Sequence, residues 1–120
     1  QNSAPGAEQL ASALRQNSSL QCLILRENAV GDLGAASFAT ALQAGTGLRE
    51  LELSANGIGK VGARSLGEAL KINGHLRTLN LSSNAIEDIG ADELAKGLEQ
   101  NTTLAELDLA KNAIEDAGVG

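Results

Sequence analysis

Leucines along this chain recur in one phrase, LxxLxLxxN, in which apolar and polar positions alternate briefly before an asparagine. Alternation with a period of two is typical of a short β-strand with one buried face. The apolar residues after each phrase are instead spaced three and four apart, as on the buried stripe of a helix. The pattern therefore predicts strands that alternate with helices. The strand leucines are Leu20, Leu23, Leu25, Leu48, Leu51, Leu53, Leu76, Leu79, Leu81, Leu104, Leu107 and Leu109, and the helical positions are Ala7, Leu10, Leu14, Ala35, Phe38, Ala39, Leu42, Ala63, Leu66, Leu70, Ala91, Leu94, Ala95 and Leu98.

The asparagine that closes each phrase returns at one constant interval, and this regularity indicates an internal repeat. A strand that turns toward a helix leaves backbone N–H and C=O groups inside the stack without a ladder partner. An amide side chain can satisfy such groups because it donates and accepts at once. We therefore expect a structural asparagine ladder made of Asn28, Asn56, Asn84 and Asn112. Glycines keep the same interval at Gly6, Gly34, Gly62, Gly90 and Gly118.

The ends of the predicted helices carry residue types that suit helix termini. Aspartate is a good N-cap and places negative charge at the positive end of the helix dipole, whereas Lys60 interrupts that pattern. Asparagine and glycine tolerate the left-handed conformation of a C-terminal cap. The predicted N-caps are Asp32, Asp88 and Asp116, and the predicted C-terminal caps are Asn17, Gly45, Asn73 and Asn101.

These repeats resemble the ribonuclease-inhibitor-like leucine-rich repeats, which also occur in Ran GTPase-activating proteins and in NOD-like receptors. The resemblance is carried by LRTLNLSSNAIEDIGADELAKGLEQNTT, residues 76–103, and by its counterparts along the chain. It implies an α/β solenoid, a right-handed β-α superhelix with a parallel sheet on the concave side and helices on the convex side. Ribonuclease inhibitor itself alternates two repeat lengths and is rich in cysteine, so the uniform repeat length and single Cys22 favour the other members as guides to function.

On this interpretation, residues 1–120 form a single repeat array. It comprises a partial repeat at 1–19, full repeats at 20–47, 48–75 and 76–103, and a partial repeat at 104–120. A solenoid exposes the apolar face of its terminal unit unless a polar cap covers it, and neither Gln1 nor Gly120 stands next to such a cap. We therefore expect a segment of a longer array, or ends that further repeats or neighbouring subunits cover.

Charge and composition limit the kinds of partner that the chain is expected to bind. The 120 residues carry a net charge of −6, which disfavours nucleic acid and anionic membranes and favours a basic protein surface. Phe38 is the only aromatic residue, so base-stacking platforms are absent. A lone Cys22 forms no internal disulfide and no apolar run reaches membrane-spanning length, which together predict a cytoplasmic protein without membrane insertion.

One segment, Gly57 to Gly62, reads G-x-G-x-x-G and opens a predicted helix, as a dinucleotide-binding turn would. The equivalent segments in the other repeats read AVGDLG, AIEDIG and AIEDAG, so we interpret Gly57 and Gly59 as local variants of one turn. No acidic ribose partner follows about 20 residues later. The sequence therefore predicts no cofactor.

Other chemical motifs have structural explanations. Asn17-Ser18-Ser19 and Asn101-Thr102-Thr103 fit a glycosylation sequon, but the helix-cap interpretation accounts for both asparagines. The acidic residues Glu87, Asp88, Glu115 and Asp116 lack the ligand spacing of a calcium loop, so we expect no metal. His75, the only histidine, is far along the sequence from Cys22, and no catalytic pair is expected.

The residues between the strand leucines face outward on the concave side, where adjacent strands turn each repeat position into a ladder. Acidic pairs at Glu50/Glu52 and Glu106/Asp108 flank a neutral strand, and on them we base the hypothesis of a docking face for a basic segment, steered by charge. The alternative is a solvated polar face with no partner. The candidate partner-binding residues are Cys22, Ile24, Arg26, Glu50, Glu52, Ser54, Thr78, Asn80, Ser82, Glu106 and Asp108.

The sequence thus favours a non-catalytic scaffold for protein–protein interaction, within a larger protein or assembly. Two other functions come from the family resemblance. One is a GTPase regulator of the Ran-activating kind, in which the repeat arc orders the partner's own catalytic machinery. The other is the recognition region of a NOD-like receptor, which requires a nucleotide-binding domain elsewhere in the parent chain.

Overall fold

Helices and strands alternate without exception through the described part of the chain. The computed structural model describes residues 5–17 and 19–114. The helices are α1 (Pro5–Gln16), α2 (Gly31–Gln43), α3 (Lys60–Leu70) and α4 (Glu87–Leu98), and the strands are β1 (Cys22–Ile24), β2 (Glu50–Glu52), β3 (Thr78–Asn80) and β4 (Glu106–Asp108).

The four strands form one open parallel sheet in the order β1-β2-β3-β4. Leu23 is paired with Leu51, Leu51 with Leu79, and Leu79 with Leu107, so the central leucines of the strands form a single internal column. Each helix packs against the next one along the chain, from α1 to α4. The predicted α/β solenoid is therefore confirmed, with register set by the constant repeat interval.

Burial is deepest in the middle repeats, where two neighbours cover each leucine. Leu51 and Leu79 are buried, whereas their equivalents Leu23 and Leu107 in the outer strands are only partly so. In the first unit, Leu10 and Leu20 are exposed because no described unit packs on their outer side. A unit thus buries its own leucines only by lying against a neighbour, as expected for stacked repeats.

The asparagines that close the strand phrases connect successive turns. Asn84 Oδ1 accepts hydrogen bonds from the backbone N–H groups of Asn56 (2.8 Å) and Ile58 (3.1 Å) in the preceding repeat. Its Nδ2 donates to the Leu53 carbonyl across the same interface (3.0 Å) and to the carbonyls of Leu81 and Ser82 in its own turn. One side chain thereby satisfies backbone groups on two repeats.

The other members of this set follow the same plan with one exception. Asn56 Oδ1 accepts from the N–H groups of Asn28 and Val30, and its Nδ2 donates to Leu25 and Ser54. Asn112 accepts from Ile86 N–H and donates to the carbonyls of Leu81, Leu109 and Ala110. Asn28 is exposed rather than inside the stack, because no described turn lies beneath it. Its Nδ2 donates to the Arg26 carbonyl.

The predicted N-cap role of the aspartates is wrong. Asp32 and Asp88 lie one residue inside helices that begin at Gly31 and Glu87, and the N-cap positions Val30 and Ile86 make no side-chain cap hydrogen bond. Asp32 instead reaches the next repeat, because the stacked helix starts lie side by side. Its Oδ1 accepts from the N–H groups of Gly59 (2.7 Å) and Gly62 (2.9 Å), at the start of α3. Asp116 lies outside the described residues.

The predicted left-handed caps are also mostly wrong. Gly45 has a positive φ of 84°, but Asn17, Asn73 and Asn101 do not. These asparagines act through their side chains instead, because the loop that follows each helix carries unpaired N–H groups. Asn73 Oδ1 accepts from the N–H groups of His75 and Leu76, while its Nδ2 donates to the Leu42 carbonyl at the end of α2.

Asn101 repeats this arrangement one unit later, with its Nδ2 donating to the Leu70 and Asn73 carbonyls. In the unit where Gly45 replaces the asparagine, Thr46 Oγ1 accepts from Leu48 N–H at 3.1 Å. A second set of polar side chains therefore fixes the helix-to-strand loops. Residue type alone predicts a backbone conformation at these positions and does not predict their side-chain bonds.

The G-x-G segment belongs to the turn between strand and helix. Gly57 has a φ of 69°, and the equivalent residues Ala29 and Ala113 adopt φ values of 52° and 59°. The left-handed conformation therefore occurs in three of the four turns, with Ala85 as the exception. Glycine adopts it without the strain that alanine bears.

Candidate functional site

The outward positions of the four short strands place the predicted partner-binding residues on one surface. Along each strand a buried or half-buried leucine is flanked by more exposed side chains, as the alternation predicts. Two shallow concavities lie on this surface, of about 200 Å³ over β1–β3 and about 540 Å³ over β3–β4. The first is lined by Cys22, Leu23, Ile24, Arg26, Glu50, Leu51, Glu52, Thr78 and Asn80, and the second by Thr78, Leu79, Asn80, Ala105, Glu106, Leu107, Asp108 and Leu109.

Glu52 is the centre of a polar network in the first concavity. Arg26 Nε donates to both carboxylate oxygens, at 3.0 and 2.9 Å, and Ser54 Oγ donates to Oε2 at 3.0 Å. Asn80 Nδ2 makes a longer contact of 3.4 Å from the neighbouring strand. The hydrogen bond from Arg26 holds the pKa of Glu52 below its usual value of 4.5, against the opposing effect of burial. Glu52 is therefore already partnered within the chain.

Cys22 and Glu50 form a second pair on the same floor. The pKa of the Cys22 thiol is raised above its usual value, chiefly by hydrogen bonding toward the Glu50 carboxylate and further by partial desolvation and the negative charges of Glu50 and Glu52. The thiol is exposed but carries less thiolate at neutral pH than an ordinary cysteine. This environment does not suit a nucleophile.

Two serines at the end of the ladders lie deeper than the sequence predicted. Ser54 is buried rather than outward-facing, because its hydroxyl turns back onto Glu52. Ser82 is half-buried, and its backbone N–H donates to Asn80 Oδ1 at 2.9 Å. Their hydrogen bonds hold the ends of β2 and β3 in place.

The carboxylates that remain open to solvent are Glu50, Glu106 and Asp108. In the described part of the chain, none of these three has a lysine, arginine or histidine nitrogen within 4.0 Å. The pair formed by Glu106 and Asp108 has no basic partner within the described residues, whereas Arg26 pairs with Glu52 of the other acidic pair. The concave surface is therefore acidic, and more so over β4.

Sequence reasoning missed a basic row at the edge where the strands begin. Arg49 and Arg77 are both exposed, occupy the same repeat position, and are joined through their backbones, Arg77 N–H donating to the Arg49 carbonyl at 2.8 Å. Neither makes an ion pair within residues 5–17 and 19–114. The sequence does contain a signal for this row, because the two arginines occupy equivalent positions in successive repeats.

No other chemistry competes with this surface among the described residues. Those residues contain no group of three or more histidine, cysteine, aspartate or glutamate side chains placed to hold a metal ion. None of the four helices is both long enough and apolar enough to cross a bilayer. Of the acidic residues considered for a cation site, Glu115 and Asp116 lie outside the described part of the chain.

The sequence and the fold were compared with known proteins. The family profile described as "Leucine Rich repeat" matches residues 16–39, 46–67, 73–95 and 100–120. The structure titled "Leiomodin-1 Actin-Binding Site 2 (ABS2)" superposes with a TM-score of 0.84 at 27% identity, covering 89% of this chain and 63% of that one. No curated protein matches the sequence.

A tropomodulin C-terminal domain from Caenorhabditis elegans superposes with a TM-score of 0.77 at 19% identity, over 88% of this chain and 65% of that one. At this identity the likeness concerns the fold alone. The present chain spans less than two thirds of each of these two structures.

Proposed function

The chain belongs to the leucine-rich repeat family, and we propose that it is a non-catalytic module that binds a partner protein through its concave face. The concave face comprises the outward residues of β1–β4 and the residue two positions after the end of each strand. A rigid sheet of in-register strands suits this role because it presents side chains at fixed spacings without a cost in ordering loops.

The observation that carries the proposal is the set of three exposed carboxylates, Glu50, Glu106 and Asp108, without a cation of the described residues beside them. Unpaired charge of one sign on a concave surface favours a partner of opposite sign, which it steers during encounter. The partner segment is therefore basic. Its contact with Ile24, which is 57% exposed, supplies apolar area beside the charges.

A selection from phage-displayed random peptides tests this function. Peptides rich in lysine and arginine should be enriched on the native chain, and should lose at least tenfold in affinity when Glu50, Glu106 and Asp108 are replaced by lysine. A control with the same change in charge on the helical side, at Glu8, Glu68 and Glu99, should retain binding. Equal loss in both variants, or enrichment of acidic peptides, would contradict the proposal.

A second candidate function rests on the likeness to the leiomodin-1 structure, whose title describes an actin-binding site. We propose actin as a specific partner to be examined with this chain. Co-sedimentation with actin filaments and native gels with monomeric actin measure this directly, with the lysine variants of the concave face as comparison. Absence of binding to both forms of actin would leave the basic-segment proposal standing and remove this candidate.

The other two functions considered from the sequence gain no support from these two structural neighbours. A panel of small GTPases, assayed for GTP hydrolysis with and without the chain, distinguishes regulation from passive binding. Unchanged hydrolysis rates are expected for a module that only docks a partner.

A further inference from the structure

Three helices of the convex side carry an exposed aliphatic residue at the same repeat position. Leu33, Val61 and Ile89 lie in the first turns of α2, α3 and α4, at equivalent positions of successive repeats, and we call them the outer apolar row. Their exposed fractions are 51%, 59% and 58%. Single exposed aliphatic side chains are ordinary on protein surfaces, but a contiguous set marks an interaction site.

The residues of the row are neighbours in space because the helix starts are in close contact. A Cβ added to Gly90 of α4 would lie 3.2 Å from the Lys60 Cα and 3.1 Å from the Ala63 Cβ of α3. A Cβ on Gly62 would similarly meet Asp32 and Ala35 of α2. Consecutive side chains of the row therefore stand one helix–helix spacing apart, about 8–10 Å.

Charged residues border the row, and the sign of their charge differs between α3 and α4. Around Val61, Lys60 precedes and Arg64 follows by one turn, and neither has a carboxylate within 4.0 Å among the described residues. Around Ile89, the equivalent positions are held by Asp88 and Asp92, and Asp92 lies 3.9 Å from Lys96 Nζ. The uncompensated charge beside the row is thus basic and lies at its centre.

We propose that the outer apolar row docks an amphipathic α-helix of a partner protein, laid across α2, α3 and α4. One face of an α-helix returns every seven residues, a rise of about 10.5 Å, which is slightly longer than the separation of the row's side chains. An extended strand returns to one face about every 6.6–6.8 Å and falls out of step. Complementary charge places an acidic residue of the partner helix beside Lys60 and Arg64.

A second copy of this chain fits the row less well. A twofold arrangement centred on Val61 brings Lys60 and Arg64 against their own copies, which sets like charges together. The site is also separate from the concave face, since it lies on the helices and involves none of the strand residues.

The test is a selection from a phage-displayed library of alanine-rich helices six turns long, in which leucine, glutamate and lysine are distributed at random. The selected peptides should carry apolar residues at every seventh position, with glutamate next to the central one. Synthetic copies should shift the methyl resonances of Leu33, Val61 and Ile89, and should bind at least tenfold more weakly to the variant with serine at these three positions.

Two matched variants make the result specific. Ile72→Ser removes an equally exposed aliphatic residue, 64% exposed, just after α3 and should leave peptide affinity unchanged. The variant with lysine at Glu50, Glu106 and Asp108 should bind the selected helical peptides as tightly as the native chain does. Failure of the concave-face proposal can therefore be distinguished from failure of this one.

Several results would overturn the proposal. These are a selection without enrichment, enriched peptides that bind the serine variant equally well, and enrichment of lysine at the central position. Sedimentation that shows the chain alone dimerising, with the dimer lost in the serine variant, would assign the row to a second copy instead.

Discussion

Asn84 joins two turns that lie on neighbouring repeats, and its replacement by alanine measures what this bridge contributes. Substitution leaves the N–H groups of Asn56 and Ile58 without the Asn84 Oδ1 acceptor, and removes a donor from the Leu53 carbonyl. An unsatisfied buried polar group costs about 1–3 kcal/mol. Because Asn84 is half-buried and water reaches part of the site, we expect a loss of about 3 kcal/mol in the free energy of unfolding.

Asn28 provides the matched control, since the same residue type occupies the same repeat position. It is exposed and its side chain donates to the Arg26 carbonyl. The loss of one exposed hydrogen bond costs about 0.5–1 kcal/mol. The two alanine variants therefore differ in the number of stranded backbone groups and in little else.

Urea unfolding followed by circular dichroism gives both values. With a slope of about 2 kcal/mol per molar urea, Asn84→Ala should lower the midpoint by about 1.5 M, and Asn28→Ala by less than about 0.5 M. The slopes should match that of the native chain. Equal shifts for the two variants would refute the bridging role and leave the asparagines as residues that merely fit a turn.

Three further outcomes are expected. Gly67→Ala should destabilise the fold by about 1–3 kcal/mol in urea unfolding, because its new Cβ meets the Glu93 carbonyl oxygen at 2.5 Å. Gly6→Ala, whose Cβ enters open space, should stabilise the fold by about 0.5–1 kcal/mol. Equal effects of the two substitutions would contradict the close approach at Gly67. The Cys22 thiol should react slowly with a disulfide reagent near neutral pH. Glu50→Gln should accelerate this reaction because it lowers the raised pKa of the thiol. An unchanged rate would show that the Glu50 carboxylate does not raise the pKa of the thiol. The lowered pKa of Glu52 stabilises the fold at pH values above 4.5, and this contribution disappears as pH falls through the depressed value. The stability difference between the native chain and its glutamine variant at that position should shrink in acid, and a constant difference would contradict the shift.

The leucine column and the strand register were predictable because both follow from a spacing that the sequence displays directly. Leu23, Leu51, Leu79 and Leu107 need only recur at one constant interval to align in a stack with one unit per strand. Periodicity identifies which positions are equivalent, and in a solenoid equivalent positions are adjacent.

The hydrogen-bond partners were harder to predict because a side chain can reach the next unit instead of its own. Asp32 has the residue type of an N-cap, yet the N–H groups it accepts from belong to Gly59 and Gly62. Likewise Asn73 satisfies the end of α2, a helix that precedes its own. Residue type indicates which hydrogen bonds these side chains can make. The distance between stacked units decides which unit supplies the partner.

The candidate site was predictable to a similar degree. The ladder positions followed from alternation, but the charge balance did not, because the Arg26–Glu52 ion pair depends on two side chains from neighbouring strands meeting at 2.9 Å. The burial of Ser54 was equally hard to predict, because its hydroxyl donates to Glu52. The outer apolar row is visible in the spacing of Leu33, Val61 and Ile89, but helical periodicity by itself indicates only the buried stripes.

The amide bridges make the array depend on chain direction. Each turn receives its acceptor from the asparagine of the unit that comes later, as Asn28 does from Asn56 and Asn56 does from Asn84. Peeling away a later unit strips the strand-end turn of its predecessor of these amide acceptors. Asp32 works in the opposite direction, since it accepts from the Gly59 and Gly62 N–H groups of the following unit. Loss of a unit should therefore weaken the strand-end turn of the unit before it and the helix start of the unit after it, so the array holds together from both sides.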